Sequence, residues 1–196
     1  MPVTVKLSDL TELANMIKDK ELRKKVVDAL KHPAMSHTSL AKKYKAADLK
    51  DAPASIQFHH TYEIGLVEHT YAVTKLSISV AETINTVYGM ELDMDALIAA
   101  ALVHDIGKLW GMKKSAAGWQ PTELTLDHTM AGTSELYTRE FPEKVLHIVA
   151  SHFGENGPTP PATMEALIFH TIDNMDAVIG TNKQENLINL LLKQQQ

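Results

Sequence analysis

Apolar positions recur every three to four residues over much of the chain. Nowhere do Val, Ile, Thr and aromatic residues alternate with polar ones over several positions between turns, so the pattern reads as helices without clear strands. Ser8 and Asp19 stand where N-caps would open two short helices, the second ending near Lys31 before Pro33. Residues 32–60, with Pro33, Pro53 and scattered Ser, read as short helices and loop. A clear helix spans about Leu66 to Tyr88: Val73, Leu76, Val80, Ile84 and Val87 keep helical spacing and Gly89 is the stop. Asp93 or Asp95 caps a strongly apolar helix that runs through Ala101 to about Trp110. Leu126 to Tyr137 reads as another, and Pro142 at a first-turn position opens one that ends at Gly154. After the loop from Glu155 to Pro161, a long helix covers about Ala162 to Ile179, and a short one around Glu185 to Leu192 precedes a polar tail. Met90, Met94, Met164 and Met175 read as core packing. The expectation is an all-α fold in one domain over 1–196. Within it, 1–55 is a helical extension, 56–180 the core bundle, and 181–196 a last helix and tail.

Composition then narrows the chemistry. With 196 residues, 44% hydrophobic and 22% charged, the chain has the make-up of a globular domain and not of a disordered or fibrous one. The longest apolar run, Ala96 to Val103, is far below the ~20 residues of a membrane span. The N-terminus lacks an apolar signal core, so a cytoplasmic protein is expected. Zero cysteines remove disulfides, thiolate metal sites and cysteine nucleophiles together, while ten histidines leave His, Asp and Glu as metal ligands. Charge is uneven: residues 1–60 hold 11 of the 19 Lys and Arg but 7 of the 24 acids. Lys18, Lys20, Arg23, Lys24 and Lys25 read as the solvated face of a helix, and the acidic remainder is not the footprint of a nonspecific duplex binder.

On these helices, His69 lies four before Val73 and seven before Leu76, on the apolar side. His152 stands three after Val149 and seven after Val145, and Asp105 follows Leu102 by three in one of the most apolar segments. Asp173 is in phase with Ala166, Phe169 and Ala177. Any one inward His reads first as a hydrogen-bonded core residue. Four helices that each turn a ligand-type side chain inward are a different matter, because a buried unpaired Asp is costly and a cation is the usual remedy. The neighbours His104 and Asp105 can both reach one ion, and with His69, His128, His152 and Asp173 they suit one or two divalent metals of the imidazole–carboxylate class.

His69, His104-Asp105 and Asp173 together resemble the H…HD…D signature of the HD-domain metal-dependent phosphohydrolase superfamily, and His104-Asp-Ile-Gly-Lys108 matches its HDIGK string. The flanking stretches His59-His60-Thr-Tyr62, Gly65-Leu-Val-Glu-His69-Thr, Ser151-His152, Gly157-Pro158 through Glu165-Ala and Asp173-Asn-Met-Asp176-Ala are similar to the HD half of YhaM-type 3′–5′ exoribonucleases, over about residues 20 to 180. The resemblance implies that His69, His104, Asp105 and Asp173 hold one metal. It also implies that Asp105 bridges to a second ion held by His128 and His152. Two departures stand out. Phe153 occupies the place of a second His that the family carries after the residue matched by His152, which implies a weaker second site. The exoribonucleases also carry an OB-type domain ahead of the HD half, for which 196 residues leave no room.

The expected activity is hydrolysis of a phosphoester of a nucleotide or a short RNA 3′ end, with one or two divalent ions (Mn, Mg, Fe, Ni or Co) as cofactors. A divalent ion lowers the pKa of water and polarises a phosphoryl oxygen. Asp105 and Lys108 are the catalytic candidates, Lys108 lying four after His104 on the same helix face with its ammonium in reach of the phosphate. His60 and His170 are candidates for orienting ligands or touching substrate. The segment Trp110 to Pro121, with Lys113, Lys114 and Trp119, reads as an exposed loop anchored by one Trp, or as a base-stacking lid. His32, His37 and His147 are given no role. Two other classes remain open: a di-iron oxygenase on the HD fold, and a non-catalytic HD module that binds a nucleotide or a partner. Nucleotide or single-stranded RNA is the expected partner, with no membrane; the oligomeric state is not legible.

Overall fold

The computed structural model describes residues 4–181. Asp9 reaches back to accept from the Lys6 N–H at 2.7 Å, so α1 (Leu7–Ala14) begins one residue ahead of the expected cap Ser8. Asp19 caps α2 (Lys20–Lys31), accepting from Glu21 N and Leu22 N as its position predicts. Residues 32–64 are loop apart from α3 (Thr38–Lys43), capped by the His37 side chain.

The long helix α4 (Gly65–Tyr88) ends at Gly89 in the left-handed region. It lies against α5 (Met94–Val103) and α9 (Met164–Ile179), and its deepest face carries Leu66, Val67, His69, Val73, Ile78 and Ala81. The expected stripe therefore holds only in part: Val73 is buried, but Val80 is exposed, and so is Val87, which lies beyond Ala81, the last buried residue of α4. Every residue of α5 from Ala96 to Val103 is buried, at about 1.5–3 kcal/mol for each large aliphatic side chain. It is the hub, packed by α2, α4 and α8 (Glu143–Ala150). Asp93 caps α5 by accepting from Ala96 N, while Asp95 accepts from the N–H groups of Lys18 and Asp19 and so pins the α1–α2 corner to it. One hydrophobic cluster runs from Leu10 and Val26 through α5 to Phe169.

Three expectations need correction. The α5 helix does not continue to Trp110: it stops at Val103, a tight turn holds His104 to Gly107, and a single turn α6 (Lys108–Gly111) follows. The loop from Trp110 to Pro121 is a hairpin, β1 (Met112–Ser115) pairing antiparallel with β2 (Gly118–Pro121). Its strands are polar and mostly exposed, so they lack the alternation that marks a half-buried strand. Met90, Met164 and Met175 are exposed, not core. Smaller shifts follow the caps: α7 (His128–Thr138) opens behind Asp127, α8 opens behind Pro142 and closes at Ala150, and α9 opens behind Thr163. The short helix expected around Glu185 to Leu192 lies outside the described residues. Among the described residues no helix is long and apolar enough to cross a membrane.

Candidate metal centre

Five chain segments deliver the candidate ligands to one place. His69 sits in the second turn of α4, His104 and Asp105 in the turn after α5, His128 at the first residue of α7, His152 in the turn after α8, and Asp173 in α9. The helix break after Val103 is what aims the HD pair. There the N–H groups of Ile106, Lys108, Leu109 and Trp110 each bond a carbonyl three residues back, tightening the chain. Gly107 lets α7 come close, for a Cβ at that position would lie 2.0 Å from the His128 carbonyl oxygen. His128 is thereby held beside Asp105.

Asp105 is the centre of the cluster. Its Oδ2 lies 3.4 Å from His69 Nε2 and 3.1 Å from His104 Nε2; its Oδ1 lies 3.4 Å from His128 Nε2 and 3.9 Å from His152 Nε2. Asp173 Oδ1 closes the first group, 3.1 Å from His69 Nε2 and 3.5 Å from His104 Nε2. His69, His104 and Asp173 thus form one set of potential ligands, and Asp105, His128 and His152 a second. Both oxygens of Asp105 are buried without a hydrogen bond of good geometry, although Lys108 Nζ approaches Oδ2 at 2.6 Å.

The tautomers are fixed from outside. The Nδ1–H of His69 donates to Asp176 Oδ2 at 2.7 Å, that of His104 to the Ala101 carbonyl at 2.9 Å, and that of His152 to the Val149 carbonyl at 2.7 Å. Each of the three then turns an Nε2 lone pair inward, the arrangement that orients metal-binding imidazoles. His69 and His104 face each other with Nε2 lone pairs 3.3 Å apart, a contact that a shared proton or cation brings together, and His128 Nε2 lies 3.3 Å from the Nε2 lone pair of His152. With two ionised carboxylates beside them, the donor set fits divalent metal in each group.

Protonation differs between the two groups. Burial alone would lower His69 and His104, but the carboxylates outweigh it: Asp105, Asp173 and Asp176 hold His69 well above its ordinary value, and Asp105 and Asp173 hold His104 at about 8. Against their own burial, Asp105 is kept far below the usual carboxylate range by His104 and Lys108, and Asp173 by His104 and His69. In the second group burial wins, pushing His128 down to about 3 and His152 below its ordinary value.

The remaining candidates fall around this cage. Lys108 does not project along a helix face from His104; it starts α6 and turns back onto Asp105 three residues earlier. His170 donates from Nδ1 to the His152 carbonyl at 2.7 Å and so holds the turn that carries His152. His60 is buried with Nε2 3.6 Å from Asp176 Oδ2. Phe153 is exposed and sets its ring edge-on to His128, 4.9 Å between centroids. Sequence reasoning gave no role to two residues here, although both lie in the family-like stretches: Asp176, one turn beyond Asp173 and therefore on the same face, and His59, beside His60. His147 accepts from Ala162 N and has a structural part in the loop before α9.

The HD domain family matches residues 66–178, more than half of the chain. The chain belongs to the HD domain family. Over 173 residues it is 43% identical to the dihydroneopterin 2′,3′-cyclic phosphate phosphodiesterase of Methanocaldococcus jannaschii, covering 87% of this chain and 69% of that protein. It is 30% identical to the 3′–5′ exoribonuclease YhaM of Bacillus velezensis over 193 residues, 88% of this chain and 58% of that one. The YhaM of Bacillus subtilis is 31% identical over 154 residues, 70% and 46% of the two chains. The chain thus spans about half the length of the exoribonucleases it matches. No solved structure matches it. With an HD domain and relatives named as a phosphodiesterase and exoribonucleases, this chain is an enzyme of the phosphohydrolase class.

Proposed function

We propose that the centre holds two divalent cations, one against His69, His104, Asp105 and Asp173 and the other against Asp105, His128 and His152, and that it hydrolyses a phosphodiester of a nucleotide or a short RNA 3′ end. The observation that carries this reading is Asp105, whose two buried oxygens lack hydrogen bonds and each face a different pair of imidazole nitrogens. Bound cations would make water acidic enough to attack near neutral pH and would draw charge from a phosphoryl oxygen. The bond class follows from the relatives' names, since a 2′,3′-cyclic phosphate and an RNA linkage are both diesters. Hydrolysis forms a bond from water oxygen to phosphorus and breaks the ester P–O bond, and the leaving oxygen takes up a proton.

The protein's own groups have separable parts in this. Asp176, Ala101 and Val149 keep the ligand imidazoles in the tautomer that presents Nε2. Lys108, at the rim of the cage with its ammonium on Asp105, offers positive charge to phosphoryl oxygens as their charge grows in the transition state. The test is hydrolysis of bis(p-nitrophenyl) phosphate by protein stripped of metal and reloaded with Mn²⁺, beside Asp105→Ala. Turnover by the first and none by the second is expected. Equal turnover by both, or none by the reloaded wild type, contradicts the reading.

A further inference from the structure

His60 is held in a conformation that a packing residue would not need. Its backbone is left-handed at φ +44, with Ile64 at φ +64 shortly after it. Its N–H donates to the Gly180 carbonyl and its own carbonyl accepts from Ala54 N, both at 3.1 Å. A Cβ on Gly180 would lie 2.1 Å from the His60 ring, and one on Gly65 2.2 Å from the His60 carbonyl oxygen. Backbone strain, with a glycine at each close contact, collects where geometry serves function.

The ring's partners show what that geometry fixes. His60 Nε2 lies 3.6 Å from Asp176 Oδ2, beyond hydrogen-bond reach but close enough that an N–H facing the carboxylate is favoured over a lone pair, which places the His60 proton on Nε2. His60 Nδ1 is then an acceptor, and it lies 3.1 Å from His59 Nδ1, which must be the donor. One step further, His59 Nε2 carries a lone pair. Asp176 therefore holds the His69 tautomer by a hydrogen bond and biases that of His59 electrostatically, through His60. His59 is half-buried, with its ring edge-on to His69 at 4.9 Å between centroids, and its Nε2 has no hydrogen-bond partner among the described residues.

A third cation is not what this arrangement fits. His59, His60 and His69 each bring a nitrogen within 4.8 Å of the others. Yet His69 Nδ1 is bound to Asp176, its Nε2 faces the Asp105 and Asp173 carboxylates, and the His60 lone pair is occupied by His59. Nor does an acceptor nitrogen suit phosphate oxygens, which are acceptors themselves. It suits an O–H close to the phosphate.

We infer that His59 Nε2 accepts a hydrogen bond from a hydroxyl next to the scissile phosphate, so that the site prefers a ribonucleotide 2′-OH over its 2′-deoxy counterpart. The inference rests on the phosphodiesterase reading, because it takes the phosphate to lie at the Asp105 cage. His60 and Asp176 are positioning residues for it. The 2′-OH is the group that separates RNA from DNA at such a site.

The test is calorimetric binding of uridine 3′-monophosphate and of 2′-deoxyuridine 3′-monophosphate to the Mn²⁺-loaded protein, with metal content measured on each sample. The wild type should bind the ribonucleotide about tenfold more tightly, roughly the worth of one hydrogen bond. His59→Ala should bring the ratio to about one with metal content unchanged, and His59→Gln, which keeps an acceptor, should restore part of it. Gly180→Ala, which drives a methyl group into the His60 ring, should lower the ratio while His59 is intact. Equal affinities in the wild type, or an unchanged ratio in both His59→Ala and Gly180→Ala, overturns the inference. Failure of bis(p-nitrophenyl) phosphate hydrolysis would instead overturn the phosphodiesterase reading.

Discussion

The two halves of the cage share Asp105 but are built to different standards. In the first, His69 and His104 each have Nδ1 tied to a fixed acceptor, Asp176 and the Ala101 carbonyl, and both imidazoles are buried. In the second, His152 is tied to the Val149 carbonyl, but among the described residues His128 has only His152 as a hydrogen-bond partner and packs against the exposed Phe153 ring. The protons differ too, since carboxylates raise the first pair of imidazoles and burial lowers the second. One half is a preorganised site that protons contest. The other carries neutral imidazoles and is loosely held. The contrast teaches that ligand identity alone does not set affinity; the groups behind the ligands do.

The harshest way to break the comparison is to remove what the halves share. Asp105→Ala should weaken both cation positions by more than the roughly 10–100-fold that loss of a ligand-orienting partner costs. Elemental analysis that still finds two ions per chain in this variant would sink the bridging role of Asp105. Asp176→Asn acts on one half only: it should cost the first position roughly 10–100-fold and leave the second within about twofold. Equal losses at both positions would show that Asp176 does not act through His69.

Proton competition sharpens the contrast without mutation. With His104 at about 8 and His69 above its ordinary value, a cation at the first position must displace protons at neutral pH. Affinity there should rise with pH through the neutral range up to at least pH 8, about tenfold per unit for each proton displaced. The sign is the reverse of a depressed group: protonation is favoured below the raised pKa, so binding is weakest in acid. At the second position, where His128 lies at about 3, affinity should stay nearly flat between about pH 6 and 8. Parallel pH slopes measured by calorimetry would contradict the assignment. The smallest effect is expected from Phe153→His, a gain of up to about tenfold at the second position, as an added imidazole ligand would bring. A titration with no gain in affinity there would count against the placement of Phe153 beside that ion.

Much of this was legible in the sequence, and what was not has physical reasons. The helices came from apolar spacing, and His69, His104, Asp105, His128, His152 and Asp173 do converge as their pattern and the HDIGK string imply. The break after Val103 escaped, because Ala96 to Trp110 is continuously good helix by composition and the turn is set by the approach of α7 to Gly107. The hairpin escaped because Lys113, Lys114 and Ser115 on β1 face solvent and leave no apolar alternation to read. Lys114 instead pairs with Glu63 across the molecule, at 2.5 Å. Asp176 and His59 acquire their roles from partners 107 and one residues away, and only the fold brings Asp176 to His69.

The most direct measurement is a calorimetric titration of the metal-free protein with Mn²⁺ near pH 8, repeated on Asp176→Asn. The two-cation cage predicts two binding events in the wild type, the first tighter by about tenfold or more, and a variant in which that gap closes because only the first event weakens. A single event per chain, or two events that Asp176→Asn leaves untouched, would contradict it.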